Sequence, residues 1–217
     1  MTIDPMEQLG LVTREVQDQE RQGRPARVVV ASREYDTEIE DLWEAITSAE
    51  RIPRWFLPIT GELRLGGRYQ LQGNAGGEIQ TCIPPRQLAV TWEFGGGVTW
   101  LEVTLSPVDS ERTRLELRHT AHIEDHWKKF GPGAVGIGWE LGLYGLAKYF
   151  AGGGAAVDPA AAMAWTGSAE GKTFIRGSSD GWCQAAIAAG EAPDIARAQA
   201  ARTAGFYTGE PAPADGG

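Results

Sequence analysis

The sequence predicts an α+β fold in which an antiparallel sheet is followed by a long helix. Three observations lead to this prediction: a β-branched run that begins at Ala26, five segments of period-two hydrophobicity between Arg68 and Thr120, and a helical pattern from about Ala134 to Phe150. The 217 residues suffice for one domain with an appendage or for two small domains.

The N-terminal third is predicted to contain one strand and two short helices. Residues 1–24 form an N-terminal arm or short helix, because their few apolar residues recur at helical spacing. The run ARVVVASREY from Ala26 is the first strand, and IEDLWEAIT from Ile39 is the first of the two helices. Pro53 opens the second, which carries Trp55 and Phe56.

The middle of the chain reads as an antiparallel meander with one apolar face. Turn-rich sequences such as GNAGG and FGGG separate its short apolar runs. Alternation along the strands predicts that Cys82 points outward. It places on the inner face Tyr69, Ile79, Thr81, Leu88, Val90, Trp92, Leu101, Val103, Leu117 and His119.

The long helix is expected to lie on the inner face of this sheet. Trp139, Leu143 and Leu146 lie on its apolar arc, whereas Glu140 is on the opposite side. Beside the arc runs a glycine stripe formed by Gly138, Gly142 and Gly145. Each interior glycine destabilises a helix by about 0.5–1 kcal/mol relative to alanine, so the stripe indicates close approach of another part of the chain.

Residues 151–217 are predicted to be an Ala-rich helical extension that docks on residues 25–150. Two helices, carrying Trp182 and Phe206, are expected there, because helices this short are marginal without packing. The final PAPADGG is expected to be a disordered tail.

Composition excludes several classes of function. A formal net charge of -9 argues against nucleic-acid binding, which depends on Lys and Arg neutralising phosphates. Two isolated cysteines do not make a disulfide framework, and the start MTIDPMEQLG has no signal-peptide pattern. No apolar run is long enough to span a membrane, so a cytoplasmic location is expected.

The candidate chemistry centres on three histidines. His119, His122 and His126 fall within eight positions, but their spacing matches no zinc motif, so no metal is predicted. His119 points inward and is a weak candidate for a general base, with a satisfied core histidine as the alternative. No nucleophile motif or phosphate loop is found, no cofactor is predicted, and Arg33 is expected to be a surface charge.

The order of these elements resembles the helix-grip fold of the START-like (SRPBCC) superfamily. DLWEAITSAERIPRWF, LGGRYQL, PPRQLAVTWEF, TRLELRHTAH and GPGAVGIGWELGLYGL resemble, in this order, the group that includes activators of the heat-shock-protein ATPase and polyketide cyclase-like proteins. The resemblance covers roughly residues 26–150, and residues 151–217 look like an extension of some actinobacterial members. It implies a curved antiparallel sheet that grips the long helix, with a ligand cavity between them.

The resemblance and the strand pattern together predict a binding site for a small hydrophobic or amphipathic molecule. Its predicted residues are Trp55, Phe56, Tyr69, Ile79, Thr81, Val90, Trp92, Leu101, Val103, Leu117, His119, Trp139, Leu143 and Leu146. A cyclase-, aromatase- or hydrolase-type enzyme and a co-chaperone are the alternatives. The protein is expected to be a monomer or homodimer, and a chaperone is its less favoured partner.

Overall fold

A computed structural model describes residues 3–211. The strands are β1 (Thr13–Arg21), β2 (Arg24–Tyr35), β3 (Ile59–Gly61), β4 (Arg68–Leu71), β5 (Gly76–Ile83), β6 (Gln87–Phe94), β7 (Gly97–Pro107) and β8 (Thr113–His122). The helices are α1 (Pro5–Gly10), α2 (Ile39–Thr47), a 3-10 turn (Ile52–Arg54), α3 (Asp125–Phe130), α4 (Gly133–Ala151), α5 (Pro159–Gly167), α6 (Ala169–Ala188) and α7 (Pro193–Thr208).

The eight strands form one sheet in the order β1-β2-β8-β7-β6-β5-β4-β3, and every neighbouring pair is antiparallel. The inner face packs on α4, whose Ile137, Leu143 and Leu146 are buried in the same core as the inward residues of the strands. The Tyr35 hydroxyl donates to the Leu143 carbonyl at 3.0 Å and joins β2 to α4. The predicted α+β helix-grip fold is therefore confirmed.

The N-terminal segment differs from the prediction. Of residues 3–24, Pro5–Gly10 is the helical part, and Thr13–Arg21 pairs along its whole length with β2. Val12 and Val16 are four positions apart, a spacing that suits one face of a helix and also one face of a strand, so the pattern could not decide between them. The hairpin turns at Gln22 and Gly23, which both have positive φ, as a two-residue turn of type I′ requires.

A β-bulge in β5 reverses the predicted alternation. Ile79 pairs with Val90, but Thr81 pairs with Ala89, so one extra residue is inserted between the two pairs. Beyond this point the faces of the strand are exchanged. The predictions that Thr81 points inward and Cys82 outward are therefore wrong, because Cys82 lines the inner cavity.

The long helix α4 carries a buried charge on the side opposite its apolar arc. Glu140 is only 1% exposed, and its carboxylate accepts bonds of 2.7 and 2.9 Å from Nε and Nη2 of Arg14 on β1. Burial raises the pKa of Glu140, and the Arg14 guanidinium opposes that rise. The ion pair joins α4 to the first strand of the sheet beneath the C-terminal extension.

Up to Pro211, where the described residues end, the extension has three helices instead of the predicted two. Trp182 on α6 is 1% exposed, and its indole lies against Gly136 of α4, where a β-carbon would collide with the ring. Phe206 on α7 remains largely exposed. Most of the predicted disordered tail, residues 212–217, lies outside the described residues.

Among residues 3–211, no helix is long and apolar enough to cross a membrane.

Candidate functional site

An apolar cavity of about 140 Å³ lies between the sheet and α4. Its floor comes from the inner face of β4–β8, and its roof from α4 and the segment after α2. The lining residues are almost all apolar: Ile46, Thr47, Ile52, Trp55, Phe56, Ile59, Leu63, Tyr69, Leu71, Ile79, Cys82, Leu88, Val90, Trp92, Leu101, Val103, Leu115, Leu117, Trp139, Gly142, Leu143 and Leu146.

The structure brings most of the predicted site residues together. The cavity is lined by Trp55, Phe56, Tyr69, Ile79, Val90, Trp92, Leu101, Val103, Leu117, Trp139, Leu143 and Leu146. Two predicted residues, Thr81 and His119, are not in the lining. Thr81 is turned away by the bulge, whereas His119 lies next to Trp92 and Trp139, outside the lining.

Several lining residues were missed by the strand pattern. Ile46 and Ile52 come from α2 and the 3-10 turn, which the pattern identified as helical without showing which side faces the sheet. Gly142 and Gly145 on α4 lie against this segment: the Phe56 ring approaches Gly142, and the Trp55 carbonyl oxygen lies where a β-carbon of Gly145 would sit. The glycine stripe was the signal for this close approach.

Five side chains form an aromatic row across the cavity: Trp55, Phe56, Trp139, Trp92 and Tyr69. Successive ring centroids are 5.3, 6.2, 4.8 and 6.5 Å apart. The shortest separation joins Trp92 and Trp139 in an edge-to-face arrangement, which the ring quadrupoles favour. The row offers π-faces and edges to an apolar guest.

A hydrogen-bond relay behind the aromatic row holds the indole of Trp139 and ends at the main-chain carbonyl of Trp92. Trp139 Nε1 donates to His119 Nδ1 at 2.9 Å, and His119 Nε2 lies 2.8 Å from Thr99 Oγ1. Because an indole N–H can only donate, Nδ1 must be the acceptor, and the ring proton is therefore on Nε2. The Thr99 hydroxyl then donates to the Trp92 carbonyl oxygen at 3.2 Å.

His119 is thus a satisfied core histidine. It is 1% exposed, and burial lowers its pKa to about 4, so the ring is neutral near pH 7. Both ring nitrogens are engaged by Trp139 and Thr99, and neither partner titrates near neutral pH. His122 packs edge-on against Trp100 and His126 against Phe130, so the three histidines do not converge.

The polar groups of the lining are mostly engaged within the protein. The Tyr69 hydroxyl donates to the Thr91 carbonyl at 2.8 Å, and the Trp55 indole to the Ala45 carbonyl at 2.9 Å. Burial raises the pKa of Tyr69, which keeps its hydroxyl protonated. Within residues 3–211, the Trp92 indole N–H is the donor of the aromatic row that makes no hydrogen bond. The surface presented to a guest is therefore essentially apolar.

An antiparallel sheet wrapped around a C-terminal helix, with an apolar cavity between them, defines a START-like helix-grip protein. The model of the family described as "Activator of Hsp90 ATPase homolog 1-like protein" matches residues 36–151, just over half of the chain. The chain belongs to this family.

Solved structures show how far the likeness extends. The crystal structure of CalU16 from Micromonospora echinospora is similar at 28% identity and a TM-score of 0.65, covering 81% of this chain and 98% of that one. The solution NMR structure of CalU16 is similar at 29% identity and a TM-score of 0.68, covering 82% of this chain and 96% of that one. These matches extend well beyond the segment matched by the family model.

A more distant likeness concerns the fold alone. DynU16, a protein of the dynemicin biosynthetic locus, is 20% identical with a TM-score of 0.50, covering 58% of this chain and 48% of that one. No match to this chain was found among curated proteins.

Proposed function

We propose that the protein binds a small apolar molecule in the cavity between the sheet and α4. The observation that carries this proposal is the cavity itself, about 140 Å³ in volume and lined almost wholly by aliphatic and aromatic side chains. A dry apolar cavity of about 150 Å³ is large enough to hold benzene. The guest, or the part of it that enters, is therefore about one aromatic ring in size.

The aromatic row favours a planar guest. Trp92 and Trp139 meet edge to face, and Trp139 is held by its bond to His119, so one wall of the cavity is pre-organised. Pre-organised walls reduce the ordering cost of binding. A single acceptor on the guest could be recognised by the Trp92 indole N–H, which is not used within the described residues.

A larger ligand would require the roof to open. Trp55 and Phe56 follow the 3-10 turn and lie against Gly142 and Gly145 of α4, and the Phe56 ring also stacks on Trp139. Outward movement of this segment would enlarge the cavity without disturbing the strands. In this proposal Trp55 and Phe56 form the mouth of the cavity.

The experiment uses fluorobenzene as the probe, with ¹⁹F NMR to detect it and native mass spectrometry to reveal any molecule that co-purifies. Wild-type protein is expected to broaden the probe resonance saturably. Val90→Phe, which fills the cavity, should weaken binding by about tenfold or more, equivalent to about 1.4 kcal/mol. Val98→Phe, at a half-exposed position outside the lining, is the matched control and should bind as wild type does.

Absence of both probe binding and a co-purified ligand in folded wild-type protein would refute the proposal. Equal binding by Val90→Phe would place the probe elsewhere and would also refute it. Circular dichroism establishes that each variant is folded, because overpacking a core costs about 1–3 kcal/mol.

The sequence leaves two other functions open, an enzyme and a co-chaperone. The enzymatic alternative relied on His119 as a base, but both of its ring nitrogens are already engaged, so it loses its candidate residue. Family membership keeps a chaperone partner as the second candidate. It predicts faster ATP hydrolysis when the protein is added to purified Hsp90, whereas small-molecule binding alone predicts an unchanged rate.

A further inference from the structure

A second concavity lies beside the C-terminal end of α4 and shares no lining residue with the apolar cavity. It is an open cleft of about 820 Å³ between α1, the last residues of β2, α2 and the end of α4. Unlike the apolar cavity it is strongly charged. Its charged residues are Arg33, Arg51, Arg54, Arg112, Glu34, Asp36 and Asp41.

Arg33 differs from the other cations of this cleft. The sequence predicted a surface charge, but Arg33 is only 6% exposed, because it shares the inward face of β2 with Ala31 and Tyr35. Its Nη2 donates to the side-chain oxygen of Gln8 on α1 at 2.8 Å. Its guanidinium carbon lies 4.5 Å from the centre of the Tyr35 ring.

No carboxylate neutralises this guanidinium within residues 3–211. Its Nε is buried without a hydrogen-bond partner, and its one hydrogen-bond acceptor, Gln8, is a neutral amide. The other cations are balanced or hydrated: Arg51 lies 2.7 Å from Asp41, Arg112 lies 3.6 Å from Glu34, and Arg54 is exposed.

An arginine remains charged at every accessible pH, so burying it without a counter-charge is costly. A π-face and one amide offset only part of that cost. Guanidinium N–H groups match the geometry of carboxylate and phosphate oxygens, and such charge-assisted bonds are roughly twice as strong as neutral ones. A buried, unneutralised arginine at the wall of an open cleft is therefore suited to an anion that arrives from solvent.

We propose that this cleft binds the oxyanion group, carboxylate or phosphate, of a small molecule, with Arg33 as the residue that recognises it. The apolar part of that molecule would lie on Tyr35 and Phe150, whose rings also line the cleft with centroids 5.9 Å apart. This site is separate from the apolar cavity and does not depend on the function proposed for it.

A purely structural role for Arg33 makes a different prediction. The end of α4 lines the same cleft, and the partial negative charge of a helix C-terminus stabilises a nearby cation by about 0.3–1 kcal/mol. If that is the whole role of Arg33, added oxyanions will have no specific effect on it. The two explanations are therefore separated by a titration.

The test is a titration of the full chain with sodium phosphate and, separately, with sodium benzoate, at constant ionic strength maintained with sodium chloride. The arginine Nε–H resonances are followed by ¹⁵N–¹H NMR, and the Arg33 resonance is assigned by its loss in Arg33→Lys. At least one anion is expected to shift this resonance saturably. Which anion does so distinguishes a phosphate ligand from a carboxylate ligand.

Three variants make the test decisive. Arg33→Met keeps an unbranched apolar side chain without the guanidinium and should weaken anion binding by about tenfold or more. The binding is measured by the thermal stabilisation that the anion confers. Arg33→Lys should retain part of the binding, and it serves as the charge test if Arg33→Met does not fold. Arg24→Met removes an exposed arginine that pairs with Glu124, neither of them in the cleft lining, and should bind as wild type does.

The proposal is overturned if neither anion shifts the Arg33 resonance beyond the effect of chloride. It is also overturned if Arg33→Met, or failing that Arg33→Lys, binds as tightly as wild type. The cavity-filling Val90→Phe should leave the titration unchanged, so failure of this proposal and failure of the apolar site are distinguishable.

Discussion

The indole nitrogen of Trp139 donates a hydrogen bond of 2.9 Å to Nδ1 of His119. This contact fixes the tautomer of the histidine and, through Thr99, connects the two tryptophans that meet edge to face in the cavity. A histidine that resembles a catalytic base in the sequence thus positions the Trp139 wall of the apolar cavity. The contribution of this hydrogen bond to stability can be measured in the protein without any ligand.

Replacement of Trp139 by phenylalanine should cost more stability than the same replacement at Trp92. Both substitutions remove part of an aromatic ring from the cavity wall, but only Trp139→Phe leaves His119 Nδ1 buried without its donor. An unpaired buried acceptor costs about 1–3 kcal/mol, which is the expected difference between the two variants. Denaturant unfolding followed by circular dichroism measures it, and equal losses would contradict this role for the bond.

The stability of the protein should decline on acidification in a way that depends on His119. Burial lowers the pKa of His119 to about 4 from its ordinary value of 6.5, so below pH 6.5 the unfolded chain binds a proton that the folded protein excludes. The contribution of His119 to the free energy of unfolding is fully present above pH 6.5 and is lost as the pH falls towards 4. The loss between pH 7 and pH 4.5 amounts to about 2 kcal/mol.

The matched comparison is His119→Gln, which cannot titrate. The difference in free energy of unfolding between wild type and variant should shrink by about 2 kcal/mol from pH 7 to 4.5, because carboxylates contribute equally to both proteins. A pH-independent difference would mean that His119 takes up a proton in the folded state without penalty.

The buried pair of Glu140 and Arg14 should be costly to break. Glu140→Gln leaves the Arg14 guanidinium, 15% exposed, beside a neutral amide, and a loss of about 3 kcal/mol is expected in denaturant unfolding. The control is Glu62→Gln, which removes an ion pair with Arg64 whose side chains are 64% and 72% exposed, and should change stability by less than about 0.5 kcal/mol. Similar small losses of unfolding free energy in both variants would show that the buried ion pair stabilises the protein no more than an exposed one.

A methyl group at Gly136 should loosen the C-terminal extension. The Trp182 indole occupies the space of a β-carbon there, so Gly136→Ala should destabilise by about 1–3 kcal/mol and expose the α4–α5 connection to limited proteolysis. Gly167→Ala at the end of α5 meets open space and should be neutral or slightly stabilising. Unchanged proteolysis of Gly136→Ala would show that Trp182 does not anchor the extension.

The alternation of apolar residues predicted most of the cavity wall. Side chains along a regular strand alternate between two faces, so Val90, Leu101 and Leu117 could be assigned to one surface before any tertiary structure was known. The same alternation assigned Cys82 to the wrong face, because a bulge is a backbone irregularity that leaves no trace in hydrophobicity. Segments with few apolar residues, such as β1, fit a helix and a strand equally well.

The sequence by itself determined the order of elements, the inner face of the sheet and the glycine stripe of α4, because strand and helix periodicities are local properties of the chain. Only the tertiary structure decided the volume of the cavity, the burial of Glu140 against Arg14 and the engagement of His119 by Trp139 and Thr99. Arg33 belongs to the same group, since its missing counter-charge is visible only once α1, β2 and α4 are brought together. Each of these features depends on residues far apart in sequence, and pairing across such distances is set by packing.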